Sequence, residues 1–159
     1  MAVHNPLIVA LDSADRDTVL RWTDLLAPHV GYLKVGLQAF LAHGPSLVRE
    51  VVGAAPVFLD LKLHDIPNTV AGAAAAAGDL GVAMLTVHAS GGPQMIAAAA
   101  NAAPDTAILG VTVLTSLDTA ALEMVGQRPV GEQVPVLARL AIETGAAGVV
   151  CAAGDVVAV

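Results

Sequence analysis

Short apolar segments rich in β-branched residues recur along the chain at a regular interval. There are six of them, and the first five begin about 25 residues apart. Helix-like segments lie between them, and this alternation predicts βα units that form a parallel sheet. The predicted strands are Leu7–Leu11, Tyr32–Gly36, Val57–Leu61, Ala83–Val87, Ile108–Val113 and Gly148–Cys151.

The segments between the strands carry the signals of helices. Two of them are rich in alanine and begin with Pro67 and Pro93, and proline is favoured as the first helical residue. Gly44 and Pro45 predict a break or a fresh start inside another. The predicted helices are Asp15–His29, Gln38–Val52, Pro67–Leu80, Pro93–Ala103 and Pro135–Thr144, the last after a loop over residues 126–131.

The strands are almost continuously apolar, which is typical of a parallel sheet covered on both faces. The βα repeat fits either a (β/α)₈ TIM barrel or a doubly wound sheet. No G-x-G-x-x-G follows the first strand and no G-x-x-x-x-G-K-[ST] occurs, which weakens the second alternative. We therefore predict an α/β chain of one domain over residues 1–159, a TIM barrel with about six βα units present.

The charge composition limits the kind of ligand that the chain can bind. The formal net charge is −7, which argues against a nucleic-acid partner or a basic membrane-binding surface. An anionic substrate must then be held by a few local cations. There are only two lysines, Lys34 and Lys62, and both lie in predicted strands, so each is a strong candidate for a functional role.

Several other classes of protein are disfavoured. The single cysteine, Cys151, rules out an intramolecular disulfide and is expected to be a small core residue, and no Cys/His cluster has zinc spacing. The opening residues lack the basic region of a signal peptide. An uncharged stretch over residues 80–104 is interrupted by Gly91-Gly92-Pro93, which fits strand, loop and helix better than a membrane span. We expect a soluble, cytoplasmic protein without membrane or nucleic-acid partners.

Charged and polar residues gather where the predicted strands end. The carboxyl ends of parallel strands meet at one end of a barrel, and the active site of a TIM barrel is built there from several strands. This agreement among separate segments predicts an enzyme. The residues concerned are Asp12, Lys34, Asp60, Lys62, His88 and Thr115.

The third strand and the turn after it hold the densest group of charges. Residues two apart in a strand share a face, so Asp60 and Lys62 point one way and the leucines between and beside them point the other. Pro67 suits the first turn of a helix, which ends the strand near residue 63 or 64 and leaves Asp65 in the turn. Such charges are costly unless they pair or serve a reaction, so a structural ion pair remains the alternative to a catalytic one.

Several strings resemble the strand-end motifs of bacterial orotidine 5′-phosphate decarboxylases, over essentially the whole chain. They are LIVALD, YLKVG, DLKLHDIPNTV, VHASGG and GVTVLTS. The D-x-K-x-x-D pattern alone is shared with a wider suprafamily of phosphosugar decarboxylases and hexulose-phosphate synthases. The DIPNT continuation and the LTS string are what favour the orotidine enzyme.

The resemblance implies a role for each matching residue. Asp60 sits beside the departing carboxylate of the substrate, and Lys62 protonates C6 of the pyrimidine as CO₂ leaves. Asp12 and Lys34 bind ribose hydroxyls, and Thr115 contacts the pyrimidine ring. The product would be UMP, in de novo pyrimidine synthesis.

The resemblance also implies a homodimer with shared active sites. Asp65, a catalytic residue in this interpretation, would reach with Ile66 and Thr69 into the site of the neighbouring subunit. The resemblance implies no metal and no organic cofactor.

The reaction explains why charges are needed. Loss of CO₂ leaves a carbanion at C6 that no neighbouring carbonyl absorbs, so fixed charges must stabilise it. An ammonium at C6 opposes the developing negative charge and then donates the proton. The flanking carboxylates favour the charged form of Lys62.

Two histidines near the motif leave their roles open. His64 lies off the face of Asp60 and Lys62 if the strand persists, which favours a packing or loop role over a catalytic one. His88 ends a strand and would line either the site or the subunit interface; we favour the interface.

The chain contains six predicted strands, whereas a (β/α)₈ barrel closes with eight. In the family that it resembles, a loop carrying a glutamine and a later Gly-Arg pair bind the phosphate near strands seven and eight. We therefore expect a C-terminally truncated form. The alternatives to an active decarboxylase are a non-catalytic fragment, or a sister phosphosugar decarboxylase or aldolase that needs a divalent metal.

Overall fold

The computed structural model describes residues 5–159, so the opening residues 1–4, on which the expectation of no signal peptide partly rests, lie outside it. The strands are β1 (Ile8–Ala10), β2 (Tyr32–Gly36), β3 (Val57–Leu63), β4 (Met84–His88), β5 (Ala107–Val111) and β6 (Gly148–Val150). The helices are α1 (Arg16–Leu26), α2 (Leu37–Val52), α3 (Pro67–Gly78), α4 (Pro93–Ala102), α5 (Thr119–Met124) and α6 (Val130–Glu143).

The six strands form one parallel sheet in the order β1-β2-β3-β4-β5-β6. A doubly wound sheet reverses its strand order at a switch point, whereas a barrel adds each strand beside the previous one. The unbroken order therefore decides between the two predicted architectures. The chain forms an incomplete barrel of six parallel strands with helices between them, which confirms the predicted fold class.

The core is built from aliphatic side chains of the strands and from alanines of the helices. Leu33, Leu85 and Ile108 are almost completely buried within β2, β4 and β5. Small residues let the helices approach the sheet closely. Gly110 of β5 shows this best, because a Cβ added there would lie 2.5 Å from the Cβ of Ala141 in α6. With few aromatic residues available, close approach of small residues replaces bulky ones in filling the core.

The predicted break in the second helix is confirmed. Gly44 has φ 65° and ψ −161°, which separates two helical parts, and Pro45 follows it. Glycine suits this left-handed φ because it has no Cβ.

Two features near the last helix differ from the sequence-based expectation. The short helix α5 was not predicted, although Asp118 caps it by accepting a hydrogen bond from the Ala121 N–H at 2.8 Å. Helix α6 begins at Val130 rather than at Pro135, which lies inside the helix. A proline beyond the first turn removes one backbone hydrogen bond, a cost that this helix bears while it buries Val134 and Leu137.

None of the helices within residues 5–159 is long and apolar enough to cross a membrane.

Candidate active site

The charged residues predicted from β1, β2 and β3 come together in one cluster. The Nζ atom of Lys62 lies 2.8 Å from Oδ1 and 2.9 Å from Oδ2 of Asp60. Lys34 Nζ lies 3.4 Å from Asp60 Oδ2 and 3.9 Å from Asp12 Oδ1. The cluster therefore alternates in sign, Asp12 to Lys34 to Asp60 to Lys62, across three adjacent strands.

The predicted division of β3 into two faces is confirmed. Asp60 and Lys62 meet on one side of the strand, and the leucines line a groove of about 480 Å³ between α2 and α3 on the other side. The strand ends at Leu63, and α3 begins at Pro67, as predicted. The parity of the strand thus separates the charges from the helix-facing packing.

Asp60 is the buried centre of the cluster. Its side chain is 11% exposed, against 23% for Lys34 and 36% for Lys62. Burial by itself raises the pKa of Asp60. The hydrogen bonds from Lys62 and Thr86 and the charges of Lys62 and Lys34 outweigh burial, so the pKa of Asp60 lies below its usual value. Asp60 is therefore an anion at neutral pH and holds both lysine ammonium groups close by.

Thr86 of β4 is hydrogen-bonded to the cluster, and the sequence analysis did not identify it. Its hydroxyl donates a hydrogen bond to Asp60 Oδ1 at 2.9 Å and accepts one from the Lys62 backbone N–H at 2.8 Å. Threonine is common in strands, and nothing in the string AMLTVH separates this residue from ordinary β-strand residues. Its position two residues before His88, near a strand end, was the only available signal.

Lys62 has an uncommon backbone conformation. Its φ is 52°, and among the described residues it is the only one other than glycine with a positive φ. The β3–β4 ladder is irregular at the same place, between Leu59 and Leu63. A side chain in the left-handed region is held there by its surroundings, and such residues concentrate at functional sites.

The turn after β3 stands apart from the charge cluster. Asp65 is exposed, and its Oδ1 accepts a hydrogen bond from the Ile66 N–H at 2.6 Å. Ile66 is 66% exposed, and Thr69 is exposed in the first turn of α3. Thr115 is exposed in the turn after β5. The structure thus brings together Asp12, Lys34, Asp60 and Lys62. The other four predicted site residues lie outside this cluster: Asp65, Ile66, Thr69 and Thr115.

His64 and His88 form a ring pair beside the cluster, with centroids 5.4 Å apart and planes tilted by 41°. Burial lowers the pKa of His88, and electrostatic repulsion from the neighbouring His64 and Lys62 side chains lowers it further, against the opposing effect of Asp60. His88 is therefore neutral at pH 7 and adds no charge to the cluster. Within residues 5–159 there is no group of three or more His, Cys, Asp or Glu side chains arranged to hold a metal ion.

The arrangement favours chemistry on an anion. Two ammonium groups reach a partly open surface, where they attract negative charge, and a buried carboxylate fixes their positions. Lys62 has protons to donate and is the more exposed of the two. The geometry therefore suits a reaction in which negative charge develops on a bound molecule and is then protonated.

Known proteins of one family resemble this chain over most of its length. Residues 5–158 match the model of the Orotidine 5'-phosphate decarboxylase / HUMPS family. The chain is 56% identical over 149 residues to the orotidine 5'-phosphate decarboxylase of Thermobifida fusca, covering 92% of this chain and 64% of that protein. It is 56% identical over 137 residues to the enzyme of the same name from Anaeromyxobacter sp. strain K, covering 84% of this chain and 60% of the other.

A solved structure has a similar fold. Orotidine 5'-phosphate decarboxylase from Lactobacillus acidophilus superposes with a TM-score of 0.89 at 36% identity, over 96% of this chain and 73% of that one. The chain covers 64% of the Thermobifida fusca protein and 60% of the Anaeromyxobacter protein, which is less than two thirds of each. The match to the family model over residues 5–158 shows that the chain belongs to the Orotidine 5'-phosphate decarboxylase / HUMPS family.

Proposed function

We propose that the cluster of Asp12, Lys34, Asp60 and Lys62 decarboxylates orotidine 5′-phosphate to UMP. The observation that carries the proposal is the position of the Lys62 ammonium, within 2.9 Å of both oxygens of a buried carboxylate and near the carboxyl end of β3, where the Lys62 side chain is 36% exposed. The names of the relatives, which are 56% identical, support the same reaction. Its substrate and product are free nucleotides, and we place the protein in the cytoplasm.

The reaction uses Lys62 in two ways. The bond between C6 and the carboxylate breaks, CO₂ leaves, and the electron pair remains on C6. The ammonium of Lys62 stabilises that negative charge and then transfers a proton to C6, which leaves Lys62 as an amine until water reprotonates it. Asp60 holds Lys62 in place by accepting hydrogen bonds from its ammonium at both carboxylate oxygens.

The remaining residues would bind the substrate. Asp12, which follows β1, and Lys34 of β2 would bind ribose hydroxyls, because one accepts and the other donates hydrogen bonds. Thr115, exposed after β5, would contact the pyrimidine ring.

The exposed turn after β3 would complete the site of a second subunit. Asp65, Ile66 and Thr69 are all exposed, and Ile66 presents a large apolar side chain to solvent. A homodimer in which these residues reach the partner's cluster accounts for an apolar residue at this position. Sedimentation of the parent chain beside an Ile66→Asp variant would test it: the parent should sediment as a dimer and the variant as a monomer.

The experiment on the reaction uses the purified chain with orotidine 5′-phosphate, and the loss of its absorbance is followed. The parent should convert it, Lys62→Ala should lose turnover by at least about 100-fold, and Arg139→Ala should match the parent. Arg139 is an exposed cation on α6, outside the cluster, so it controls for the loss of one positive charge.

Two outcomes would favour the alternatives. A folded chain that binds UMP but converts no substrate would be a non-catalytic relative of the enzyme. Turnover of a sugar phosphate that stops when a chelator is added would indicate the sister enzymes of the suprafamily, because the orotidine reaction should survive the chelator.

A further inference from the structure

The ladder between β3 and β4 has an unequal number of residues on its two sides. Leu59 pairs with Leu85 and Leu63 pairs with Val87, so residues 60–62 lie opposite the single residue Thr86. Two of these three residues, Asp60 and Lys62, belong to the charge cluster. Bulges of this kind re-aim side chains beside active sites.

Thr86 spans this irregular segment through its side chain. It is completely buried, and its hydroxyl carries one hydrogen. That hydrogen is donated to Asp60 Oδ1, and a lone pair accepts the Lys62 N–H. One hydroxyl therefore binds the carboxylate of the first charged residue and the backbone of the second.

The other buried threonines use their hydroxyls differently. Within residues 5–159 there are four buried threonines, and three of them, Thr23, Thr106 and Thr112, donate to main-chain carbonyl oxygens. Such bonds satisfy a buried hydroxyl without involving any charged group. Thr86 differs because both of its partners belong to the residues that form the cluster.

We propose that Thr86 is a positioning residue for the cluster, which holds the Asp60 carboxylate and the Lys62 backbone in the relation that aims the Lys62 ammonium. This inference deepens the proposed decarboxylase function and rests on it for its catalytic meaning. Its proposed role requires no contact with the substrate, because its side chain is buried. It acts through the two hydrogen bonds of its hydroxyl.

The test compares variants that differ in the hydroxyl. Thr86→Val keeps the shape of the side chain and removes the hydroxyl, whereas Thr86→Ser keeps the hydroxyl. Thr106→Val is the control, because it removes a buried hydroxyl that donates to the main-chain carbonyl of Val82 and not to the cluster. We expect Thr86→Val to lower kcat by about 10- to 100-fold with KM changed much less, because misplacement of a reacting group by about 1 Å costs about that much. Thr86→Ser should stay within about threefold of the parent, and Thr106→Val within about twofold, because each keeps both hydrogen bonds to the cluster.

A second readout does not depend on turnover. The chain has two lysines, so selective ¹³C labelling of lysine gives two side-chain signals, which Lys34→Arg assigns. Thr86→Val should move the Lys62 signal, while Thr106→Val leaves both signals in place. If the parent fails to convert the substrate, the proposed function fails, and the lysine signals still decide the role of Thr86.

The inference is overturned if Thr86→Val retains the kcat of the parent, or if its Lys62 signal is unmoved. If Thr86→Val does not fold, Thr86→Ser and Thr86→Ala provide the comparison, since both lack the methyl group and differ in the hydroxyl. Equal kcat values and equal Lys62 signals in that pair would also overturn it.

Discussion

The carboxyl end of β3 and the middle of β5 belong to the same sheet but are built in opposite ways. At β3, a buried carboxylate, two ammonium groups and a threonine hydroxyl form one hydrogen-bonded cluster around a residue with φ 52°. At β5, Gly110 leaves just enough room for Ala141 of α6 to pack against the strand. The end of β3 contains a strained backbone and a buried charge, both of which cost stability, whereas the middle of β5 stabilises the fold by close packing.

The difference separates the requirements of the reaction from those of the fold. Natural proteins depart from locally consistent sequences mainly at functional sites. Changes at the end of β3 should therefore affect activity far more than stability, and changes in the middle of β5 should do the reverse. Four measurements can break or sharpen this contrast.

The largest effect is expected from Lys62→Arg. Arginine keeps the positive charge beside Asp60, but its guanidinium does not give up a proton in proteins, and its planar fork differs from a single ammonium. Turnover of orotidine 5′-phosphate should fall by about 100- to 10,000-fold, the range typical of a lost general acid. The free energy of unfolding, from urea titration, should change by less than about 0.5 kcal/mol. Activity within tenfold of the parent would remove Lys62 from the role of proton donor.

Gly110→Ala should have the largest effect on stability. Its Cβ would lie 2.5 Å from that of Ala141, so strand and helix must move apart. We expect the free energy of unfolding to fall by about 1–3 kcal/mol. The matched control is Gly72→Ala in α3, where an added Cβ meets nothing within 4 Å and stability should rise by about 0.4–1 kcal/mol. Equal effects of the two substitutions in urea unfolding would contradict the proposed packing.

Lys62→Gly compared with Lys62→Ala isolates the backbone of the cluster. Both substitutions remove the ammonium and should abolish turnover, but glycine accepts a positive φ that is strained for alanine. The glycine variant should be more stable by about 1 kcal/mol. An alanine variant that is equally or more stable in urea would mean that Lys62 does not hold this φ in solution.

The smallest effect concerns His88. Its pKa is lower in the folded chain than in the unfolded chain, so the unfolded chain binds a proton more readily. Stability should therefore fall as the pH drops below about 6.5, the ordinary value for histidine. His88→Gln should remove that part of the pH dependence, seen as a smaller difference between urea midpoints at pH 7.5 and 5.5. His29→Gln, an exposed control, should leave the dependence unchanged; the opposite pattern would remove His88 from this role.

The sequence predicted the repeating units and the central ion pair because each depends on local pattern. The apolar period located all six strands, and strand parity placed Asp60 and Lys62 on one face. The prediction from sequence was wrong at the start of α6. Pro135 was interpreted as the first helical residue, although it lies inside a helix that begins at Val130. Tertiary packing overrode the local preference there.

The irregular ladder could not be predicted from any one segment. It depends on the relation between two strands, since Thr86 matters only because residues 60–62 lie opposite it. The same limit applies to the positive φ of Lys62. Both features become visible only when β3 and β4 are paired.

The strand order also has a consequence for how the protein is made. Each strand pairs with the strand that precedes it, so every new βα unit finds its partner already present during synthesis. Contacts between neighbouring units are short in sequence, which favours rapid folding. The charge cluster and Thr86 lie within residues 12–86, so the part of the chain that ends with β4 contains all of them. The charges that we propose to be catalytic therefore come together without any residue of β5 or β6.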